Sequence, residues 1–326
     1  MPVIYIKKGF TMSQNVVMSV KNLTKKFGDF TAVSNLNFDI YKGEILGFLG
    51  PNGAGKTTTI NMMCGLLKPD SGDILINGKS ISNDYKHVRH LIGLCPQDII
   101  IWDKLTCLEQ LEFAGQIYGM STKKARERGL KLLEEMGLIE KRSKLAKTLS
   151  GGMQRRLNIA LALVHQPEIL ILDEPQAGLD PQSRVLVRDY IKKISKSITT
   201  ILTTHDMEEA EKLSDRVAII DRGSLLVLGT PDSLVSDVEN GEVLEIKISE
   251  TSEEKVKQVI HKFPTRIIKA NYLDGTINII SNEVLELLPE ISNTLKNSSI
   301  KIEDIKIHKK TLEDVFISLT GRGLRE

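Results

Sequence analysis

The sequence has few cysteines, almost no excess of charge and no long hydrophobic run, and each deficit excludes a class of protein. The three cysteines, Cys64, Cys95 and Cys107, show no CxxC spacing, which excludes a disulfide framework and a thiolate metal site. Lysine and arginine total 44 against 42 acidic residues, so the basic surplus of a nucleic-acid-binding protein is missing. No apolar run approaches the roughly 18 residues that span a membrane. We therefore expect a cytoplasmic chain with reduced thiols that binds no nucleic acid.

The beginning of the chain also lacks a secretion signal. Its first residues, MPVIYIKKGFTMSQ, contain a short apolar patch but neither the apolar core nor the cleavage site of a signal peptide. Met12 is a second candidate for the initiating residue, and we interpret residues 1–15 as an N-terminal extension. With 326 residues, 41% hydrophobic and 26% charged, the chain can bury a core and form two domains, or one large domain with an appendage.

Residues 16–235 alternate strand-like and helix-like segments, as an α/β domain does. Short apolar runs separated by turns fill residues 16–81, and TTTINMMCGLL among them is helix-like. Helical periodicity then extends over about residues 104–165. The later runs EILILDEP and ITTILTTHD are continuously apolar before their polar ends, which is typical of strands buried on both faces of a parallel sheet.

A composition change at GTPDSLVSDVENGE, residues 229–242, indicates a linker. Beyond it a βαββαβ order predicts a small ferredoxin-like α+β domain over residues 243–326, which carries no catalytic motif. The predicted elements are a strand at Glu242–Ser249, a helix at Ser252–Phe263, strands at Arg266–Tyr272 and Thr276–Ser281, a helix at Glu283–Lys296, a strand at Ile300–His308 and a helix at Thr311–Leu319.

The segment GPNGAGKTT, residues 50–58, fits the P-loop pattern and lies between a strand-like and a helix-like run. Its glycines let backbone N–H groups turn toward phosphate oxygens. Lys56 can reach the β and γ phosphates, and the Thr57 hydroxyl can ligate Mg²⁺. The alternative, a glycine-rich turn with an incidental lysine, leaves both spacing and context unexplained. The sequence therefore predicts a nucleotide site.

Acidic residues for such a site stand at the end of ILILDEP. Asp173 and Glu174 follow an apolar strand, where open α/β sheets place their ligands. Asp173 is suited to hold Mg²⁺, and Glu174 to polarise a water for attack on the γ-phosphate. Gln97, Asp180 and His205 also follow predicted strands or turns, but each of them alone is more often a capping or surface residue.

A second glycine-rich segment, TLSGGMQRRLNIA at residues 148–160, has the pattern of a helix that begins at an anion site. The motifs GPNGAGKTT, CPQD, LSGGM, ILILDEP, AGLD and TTHD stand in this order. Residues 16–235 thereby resemble the nucleotide-binding subunit of an ATP-binding-cassette (ABC) transporter. The resemblance implies a P-loop NTPase fold of the ABC type. This is an α/β fold with a mixed sheet core, an antiparallel β subdomain and a helical subdomain at about residues 98–165.

The resemblance also assigns roles to the motif residues. It implies that Glu174, His205, Lys56 and Gln97 are catalytic, with Glu174 as the base. The residues implied to bind ATP are Phe27, Gly50, Pro51, Asn52, Gly53, Ala54, Gly55, Lys56, Thr57 and Thr58, and those implied to hold Mg²⁺ are Thr57, Gln97 and Asp173. The residues implied to contact the ATP of a partner subunit are Leu149, Ser150, Gly151 and Gly152 in the signature motif, and Asp180 forms the D-loop.

Subunits of this family pair head to tail, as a homodimer or with a similar subunit, so that the signature helix of one covers ATP on the P-loop of the other. This pairing accounts for a second anion site without a second set of acids. Met153 stands where the family usually has glutamine after the signature glycines, and Gln176 where threonine is more common. Neither position binds phosphate or metal, so we expect an active ATPase.

The C-terminal segment TLEDVFISLTGR, residues 311–322, resembles the end of ATP-binding subunits of ABC-2-type exporters. The segment DRGSLLVLGTPDSL, residues 221–234, fits the same group, although related cassettes share it. The implied function is ATP hydrolysis that powers export through a separate permease, at the inner face of the cell membrane. A soluble ABC-type ATPase acting on DNA or ribosomes is an alternative, which the single cassette and the near-neutral charge disfavour. The intact Lys56, Asp173, Glu174 and His205 disfavour a non-hydrolysing binding module.

A permease is expected to press near Gln97 and the helical segment after it. Ile99, Ile100, Ile101 and Trp102 are candidate edges of a docking groove, although packing of these side chains inside the protein is an equal alternative. Residues 243–326 are expected to serve regulation or dimer stabilisation.

Overall fold

The computed structural model describes residues 4–5, 15–84, 88–237, 241–249, 251–273 and 275–320. The chain divides into two compact units, Met1–Pro231 and Asp232–Glu326. This division falls inside the segment 229–242, where the composition changes. Each unit is described by itself below.

The described strands and helices of the N-terminal unit alternate in the order of an α/β domain. Its strands are β1 (Ile4–Tyr5), β2 (Val16–Phe27), β3 (Phe30–Tyr41), β4 (Ile45–Leu49), β5 (Ser71–Ile76), β6 (Lys79–Ser80), β7 (Ile92–Cys95), β8 (Ile169–Asp173), β9 (Thr199–Thr204), β10 (Arg216–Asp221) and β11 (Ser224–Gly229). Its helices are α1 (Lys56–Met63), α2 (Cys107–Ile117), α3 (Thr122–Glu135), α4 (Gly151–Leu163), α5 (Pro181–Ile194) and α6 (Met207–Leu213).

Seven strands form the central sheet, in the order β1-β11-β10-β4-β9-β8-β7. The neighbours from β10 to β7 are parallel, whereas β10 and β11 are antiparallel, so the sheet is mixed. Strands β4, β8 and β9 are buried at every residue. Alternate residues of β8 enter different apolar clusters, Ile169 and Ile171 on one face and Leu170 and Leu172 on the other. Burial on both faces explains the continuous apolar runs of β4 and of β8 before Asp173.

A smaller antiparallel sheet and a group of helices cover the two faces of the central sheet. The smaller sheet has the order β3-β2-β5-β6 and shares its core with the P-loop helix α1. Helices α2, α3 and α4 pack around the other cluster. Helix α2 begins at a capping box, because Thr106 accepts from the Glu109 N–H while the Glu109 carboxylate accepts from the Thr106 N–H. The mixed core, antiparallel sheet and helical group confirm the predicted fold class.

The C-terminal unit begins within helix α7 (Pro231–Asp237), and the elements after this helix have the predicted βαββαβ order. Its elements are β12 (Glu242–Ile248), α8 (Glu253–Ile260), β13 (Lys269–Leu273), β14 (Thr276–Ser281), α9 (Val284–Asn297), β15 (Ile302–Lys309) and α10 (Leu312–Thr320). The sheet order β13-β14-β12-β15 is antiparallel throughout and is that of a ferredoxin-like domain. Strand β13 begins at Lys269 rather than Arg266, because Pro264 starts a turn in which the Ile267 N–H donates to the Pro264 carbonyl at 3.2 Å.

Among the residues that the structure describes, no helix combines the length and the apolar character that crossing a bilayer requires.

Candidate functional site

Three adjacent parallel strands bring the predicted catalytic segments to one edge of the central sheet. The P-loop follows β4, Glu174 follows β8, and His205 follows β9, which lies between the other two strands. In the register of this sheet Leu49 is opposite Thr204, and Asp173 is opposite Thr203. Because parallel strands end at the same edge, segments far apart in sequence converge there.

The P-loop forms a cradle that only small residues can line. Gly53 and Gly55 adopt left-handed backbone angles, with φ of 79° and 98°. A Cβ atom at Gly50 would lie 2.4 Å from the Ile220 carbonyl oxygen, and one at Gly55 would lie 2.5 Å from the Ala32 carbonyl oxygen. Side chains at these two positions would therefore collide with backbone that cannot move aside. Pro51, Asn52 and Ala54 lie in the same loop, and Asn52 and Gly53 are exposed. Thr58 lies in the first turn of α1.

Lys56 is folded inward onto the loop and the catalytic acids. Its side chain is 5% exposed, and its Nζ donates to the carbonyl oxygens of Gly50 at 2.7 Å and Pro51 at 3.2 Å. Glu174 Oε1 lies 3.5 Å from the same Nζ. Burial lowers the pKa of Lys56, while the negative charges of Glu174 and Asp173 oppose that shift. This cation is thus held between the loop that is predicted to bind phosphates and the predicted catalytic base.

Asp173 and Thr57 form an oxygen-rich corner that suits Mg²⁺. The Thr57 hydroxyl donates to Asp173 Oδ2 at 3.2 Å, and Asp173 Oδ1 accepts from the Thr203 hydroxyl at 2.5 Å. Mg²⁺ prefers few protein oxygen ligands and completes its shell with phosphate and water. No cluster of three or more histidine, cysteine or acidic side chains with metal-binding geometry occurs in the described part of the chain. One carboxylate beside one hydroxyl fits a Mg²⁺ ion that is bound together with a nucleotide.

Glu174 and His205, the predicted base and the predicted contact of the γ-phosphate, form a hydrogen-bonded pair. His205 Nδ1 lies 3.0 Å from Oε1 and 2.9 Å from Oε2 of Glu174, which is buried. The Glu174 backbone is left-handed, with φ of 46°, a conformation that is uncommon outside glycine, asparagine and aspartate. Its N–H donates to both the carbonyl and the hydroxyl oxygen of Thr203, which hold it in place. The pair can orient a water molecule and accept its proton.

The structure adds two contributors that the sequence reasoning missed, Thr203 and Arg155. Thr203 bridges Asp173 and the Glu174 backbone from the neighbouring strand. Arg155, in α4, is buried and donates to the carbonyl oxygens of Pro96, Gln97 and Glu174. The sequence signal for Thr203 is the TT before His205, where two threonines follow the apolar Ile201 and Leu202 at the end of β9. An arginine on the apolar side of an amphipathic helix signals the second.

The signature motif lies at the beginning of α4. Ser150 is the N-cap, and its hydroxyl oxygen accepts from the Met153 N–H at 3.4 Å. Gly151 is exposed, and a Cβ atom added there would meet nothing within 4 Å. Leu149 is buried in the cluster under the helices, and the Met153 side chain packs partly against the same cluster. The motif thus presents a capped helix N-terminus with open space in front of it.

Gly152 and Asp180 connect the signature helix to α5. A Cβ atom at Gly152 would lie 2.2 Å from Ser183 Oγ and 2.7 Å from Ser183 Cβ, so the two helices touch at this glycine. Asp180 is the N-cap of α5 and accepts from the Ser183 N–H at 3.0 Å. Hydrogen bonds from Ser183 lower the pKa of Asp180. The signature motif and the D-loop therefore share one contact point.

Phe27 and Gln97 are more exposed than most of the other predicted site residues, and no hydrogen bond links their side chains to the catalytic acids in the described structure. Phe27 ends β2, and its side chain is 52% exposed with Lys25 Nζ 5.5 Å from the ring centroid. Gln97 is exposed, and its carbonyl oxygen accepts from Arg155 Nη2 at 2.8 Å. No hydrogen bond between the Gln97 side chain and Thr57 or Asp173 occurs among the described residues, so its place at Mg²⁺ stays a prediction.

An apolar groove of ≈ 430 Å³ lies beside Gln97. Ile100 and Trp102 line it together with Leu66, Ile117 and Tyr118. The four residues predicted as groove edges are divided: Ile99, Ile100 and Trp102 are exposed, whereas Ile101 packs against the apolar cluster of the helical group.

The sequence of this chain is similar to those of known proteins. The family model described as ABC transporter matches residues 33–177. The Linearmycin resistance ATP-binding protein LnrL of Bacillus subtilis (strain 168) is 35% identical over 95% of this chain and 100% of its own length. The Nod factor export ATP-binding protein I of Cupriavidus metallidurans is 34% identical over 95% of this chain and 99% of its own.

A solved structure supports the same assignment. It is the dimeric post-hydrolysis state of the ATP-binding cassette MJ0796 with ADP and Pi, which superposes with a TM-score of 0.60 at 28% identity, covering 65% of this chain and 98% of that one. The predicted fold and ATPase function are confirmed, and the alternative of an ATPase acting on DNA or ribosomes is not favoured. The chain belongs to the ABC transporter family, as an ATP-binding, ATP-hydrolysing subunit of the exporter group.

Proposed function

We propose that two copies of this chain, or this chain and a similar subunit, pair head to tail and hydrolyse ATP in two shared sites. Each site takes the P-loop, Asp173, Glu174 and His205 from one subunit and the signature helix from the other. Backbone N–H groups at a helix N-terminus bind anions, and the Ser150 hydroxyl adds a further donor to the γ-phosphate. The resulting ATPase cycle powers export through a separate membrane permease.

The observation that carries this proposal is the separation of two sets of groups. Lys56, Thr57, Asp173, Glu174 and His205 are joined by hydrogen bonds and ion pairs at one sheet edge. Among the described residues, no hydrogen bond connects the signature motif to the P-loop, and Gly151 faces open space. An anion-binding helix start without acids of its own suits a nucleotide that another subunit holds.

Hydrolysis then follows from the roles of the side chains. Glu174 accepts a proton from a water molecule while the water oxygen bonds to the γ-phosphorus, and the bond to the β–γ bridging oxygen breaks to release ADP. His205 orients the Glu174 carboxylate, and Lys56 stabilises the phosphate charge. Mg²⁺, when bound by Thr57 and Asp173, neutralises the negative charge on the β and γ phosphates.

Mixing two inactive variants tests the shared sites. Lys56→Ala should abolish nucleotide binding by the monomer, whereas Ser150→Arg should preserve monomer binding and abolish ATP-driven pairing and turnover. A mixed dimer has at most one composite site with both features intact, so the mixture should regain partial ATPase activity. Each variant alone, at the same total concentration, is the control. A fully active Ser150→Arg protein, or a mixture as inactive as its components, would contradict the proposal.

We further propose that a cytoplasmic segment of the permease docks in the apolar groove beside Gln97. Ile100 and Ile117 line the groove and are 58% and 62% exposed, so this unit leaves large apolar side chains in water. Trp102 and Phe113, also exposed, contact each other edge to face with ring centroids 5.3 Å apart. Exposed apolar patches of this kind typically mark protein interfaces. Docking there attaches the chain to the inner face of the membrane.

Charged substitutions in the groove test the docking site. Ile100→Arg and Ile117→Asp should release the chain from membranes of the cells that produce it, without changing nucleotide affinity of the purified chain. Leu285→Arg is a matched control, because Leu285 is 69% exposed but lies in the C-terminal unit. Groove variants that sediment with membranes as completely as the wild type would refute docking at this surface.

A further inference from the structure

Arg155 is a buried cation whose hydrogen-bond acceptors are all uncharged: three carbonyl oxygens and, at longer distance, a thiol. Its side chain is 2% exposed, and Nη1 donates to the Pro96 carbonyl oxygen at 2.7 Å and lies 3.8 Å from Cys95 Sγ. Nη2 donates to the carbonyl oxygens of Gln97 at 2.8 Å and Glu174 at 2.9 Å. No carboxylate lies within ion-pair distance in the described residues. Burying a guanidinium without a carboxylate partner costs free energy, so we expect Arg155 to have a specific function.

The three carbonyl groups that accept hydrogen bonds from Arg155 belong to two different segments of the chain. Pro96 and Gln97 follow β7 beside the groove, and Glu174 follows β8 at the sheet edge where ATP is expected. Arg155 itself lies in the second turn of α4, which begins at the signature motif. One turn further, Asn158 Nδ2 donates to the Asp98 carbonyl oxygen at 3.5 Å. Two residues of the signature helix, Arg155 and Asn158, therefore bind the segment around Gln97, and Arg155 also binds the catalytic segment.

The bond to Glu174 acts on a backbone that is held in an uncommon conformation. The Glu174 N–H is fixed by Thr203, and the carbonyl oxygen of the same residue is fixed by Arg155. With φ at 46°, the peptide groups on both sides of Glu174 need such restraints to stay in place. Because the orientation of the carboxylate follows from the backbone, a shift of α4 changes where the base points.

We propose that Arg155 is a positioning residue that couples the partner's ATP, bound at the signature motif of this chain, to this chain's own Glu174. The inference rests on the head-to-tail pairing proposed above. When the γ-phosphate of the partner's ATP binds Ser150 and Gly151, it fixes the position of α4. Arg155 then holds the Glu174 backbone and the segment at Gln97 in the corresponding position. ATP bound in one shared site thereby aligns the base of the other, so the two sites hydrolyse cooperatively.

The test compares Arg155→Lys with wild type in the full chain. Lysine keeps the buried charge but lacks the planar fork that reaches three carbonyl groups at once. We expect nucleotide affinity of the monomer to change by less than about twofold and kcat to fall roughly 10-fold or more, within the range of ordinary coupling energies. The Hill coefficient for ATP in hydrolysis should fall from near its limit of about two toward about one.

Arg156→Lys is the matched control, because within the described residues the neighbouring Arg156 donates to the Met136 carbonyl oxygen and not to the catalytic segment. It should retain both kcat and the Hill coefficient. Arg155→Met, which removes the charge and all three bonds, should show the larger loss of kcat if it folds. If it does not fold, the lysine variant decides alone, with its thermal midpoint confirming the native state.

Two results would overturn the role of Arg155. One is a lysine variant with wild-type kcat and Hill coefficient, and the other is loss of monomer nucleotide binding in a folded variant. Both results are distinguishable from failure of the pairing itself. If the pairing fails, ATP will not drive dimer formation of the wild-type chain, measured by light scattering.

Discussion

Glu209 provides a prediction in which the protein becomes more stable on losing a buried carboxylate. Glu209 lies in α6 and is buried, Oε2 accepts from the Thr204 hydroxyl at 2.5 Å, and Oε1 is buried without a partner in the described residues. Burial raises the pKa of Glu209 from its ordinary value of 4.5 to about 7. The hydrogen bond from Thr204 and the neighbouring His205 oppose this shift, whereas Asp206 and Glu174 add to it.

The sign of the effect follows from linkage. Because the folded pKa lies above the unfolded one, the stability linked to Glu209 is fully present below pH 4.5 and is lost as the pH rises through 7. At about 1.4 kcal/mol per pKa unit, the wild type loses about 2.5 kcal/mol between roughly pH 5 and 8 from this group. Glu209→Gln carries no charge, so the free energy of unfolding of the variant, relative to wild type, should rise by about that amount over the same range.

Urea unfolding at several pH values measures this difference. The sequence has one tryptophan, Trp102, and it lies in the same unit as Glu209, so its fluorescence reports the relevant transition. Glu208→Gln is the control, because Glu208 is 72% exposed on the same helix and pairs with Lys212. Its difference from wild type should stay flat with pH. A flat difference for Glu209→Gln as well would refute the assignment of a buried, hard-to-ionise carboxyl at this position.

Three further changes address catalysis, packing and the C-terminal unit. Glu174→Gln should retain ATP binding while turnover falls by roughly 10² or more, and normal turnover would exclude it as the base. Gly152→Ala should lower the free energy of unfolding by about 1–3 kcal/mol, and a second change, Ser183→Gly, should restore it if the steric contact is the cause. Ending the chain at residue 240 should preserve ATP binding, measured calorimetrically, and weaken ATP-driven pairing, measured by light scattering. Loss of nucleotide binding in a folded truncated chain would instead include the C-terminal unit in the ATP site.

Much of the fold could be predicted because its signals are local. The apolar runs of β4, β8 and β9, the left-handed glycines of the P-loop and the capped start of α4 each depend on residues close in sequence. The same holds for the C-terminal βαββαβ order. An error arose at the end of an element, at Pro264, where a turn delays β13. For Ile101 the sequence left a groove edge and inward packing open, and the structure shows inward packing.

The sequence by itself determined the kind of protein, the order of its elements and the residue types at the site, because phosphate-binding loops and buried parallel strands have patterns that a few consecutive residues specify. Only the tertiary structure decided how those residues meet. Strand β9 inserts between β4 and β8, although it follows both in the chain, and thereby places Thr203 against Asp173 and His205 against Glu174. The contacts of Arg155 likewise depend on how α4 packs against the ends of β7 and β8. Such contacts join residues about 20 to 60 positions apart, and no local pattern encodes them because they follow from strand order and helix packing.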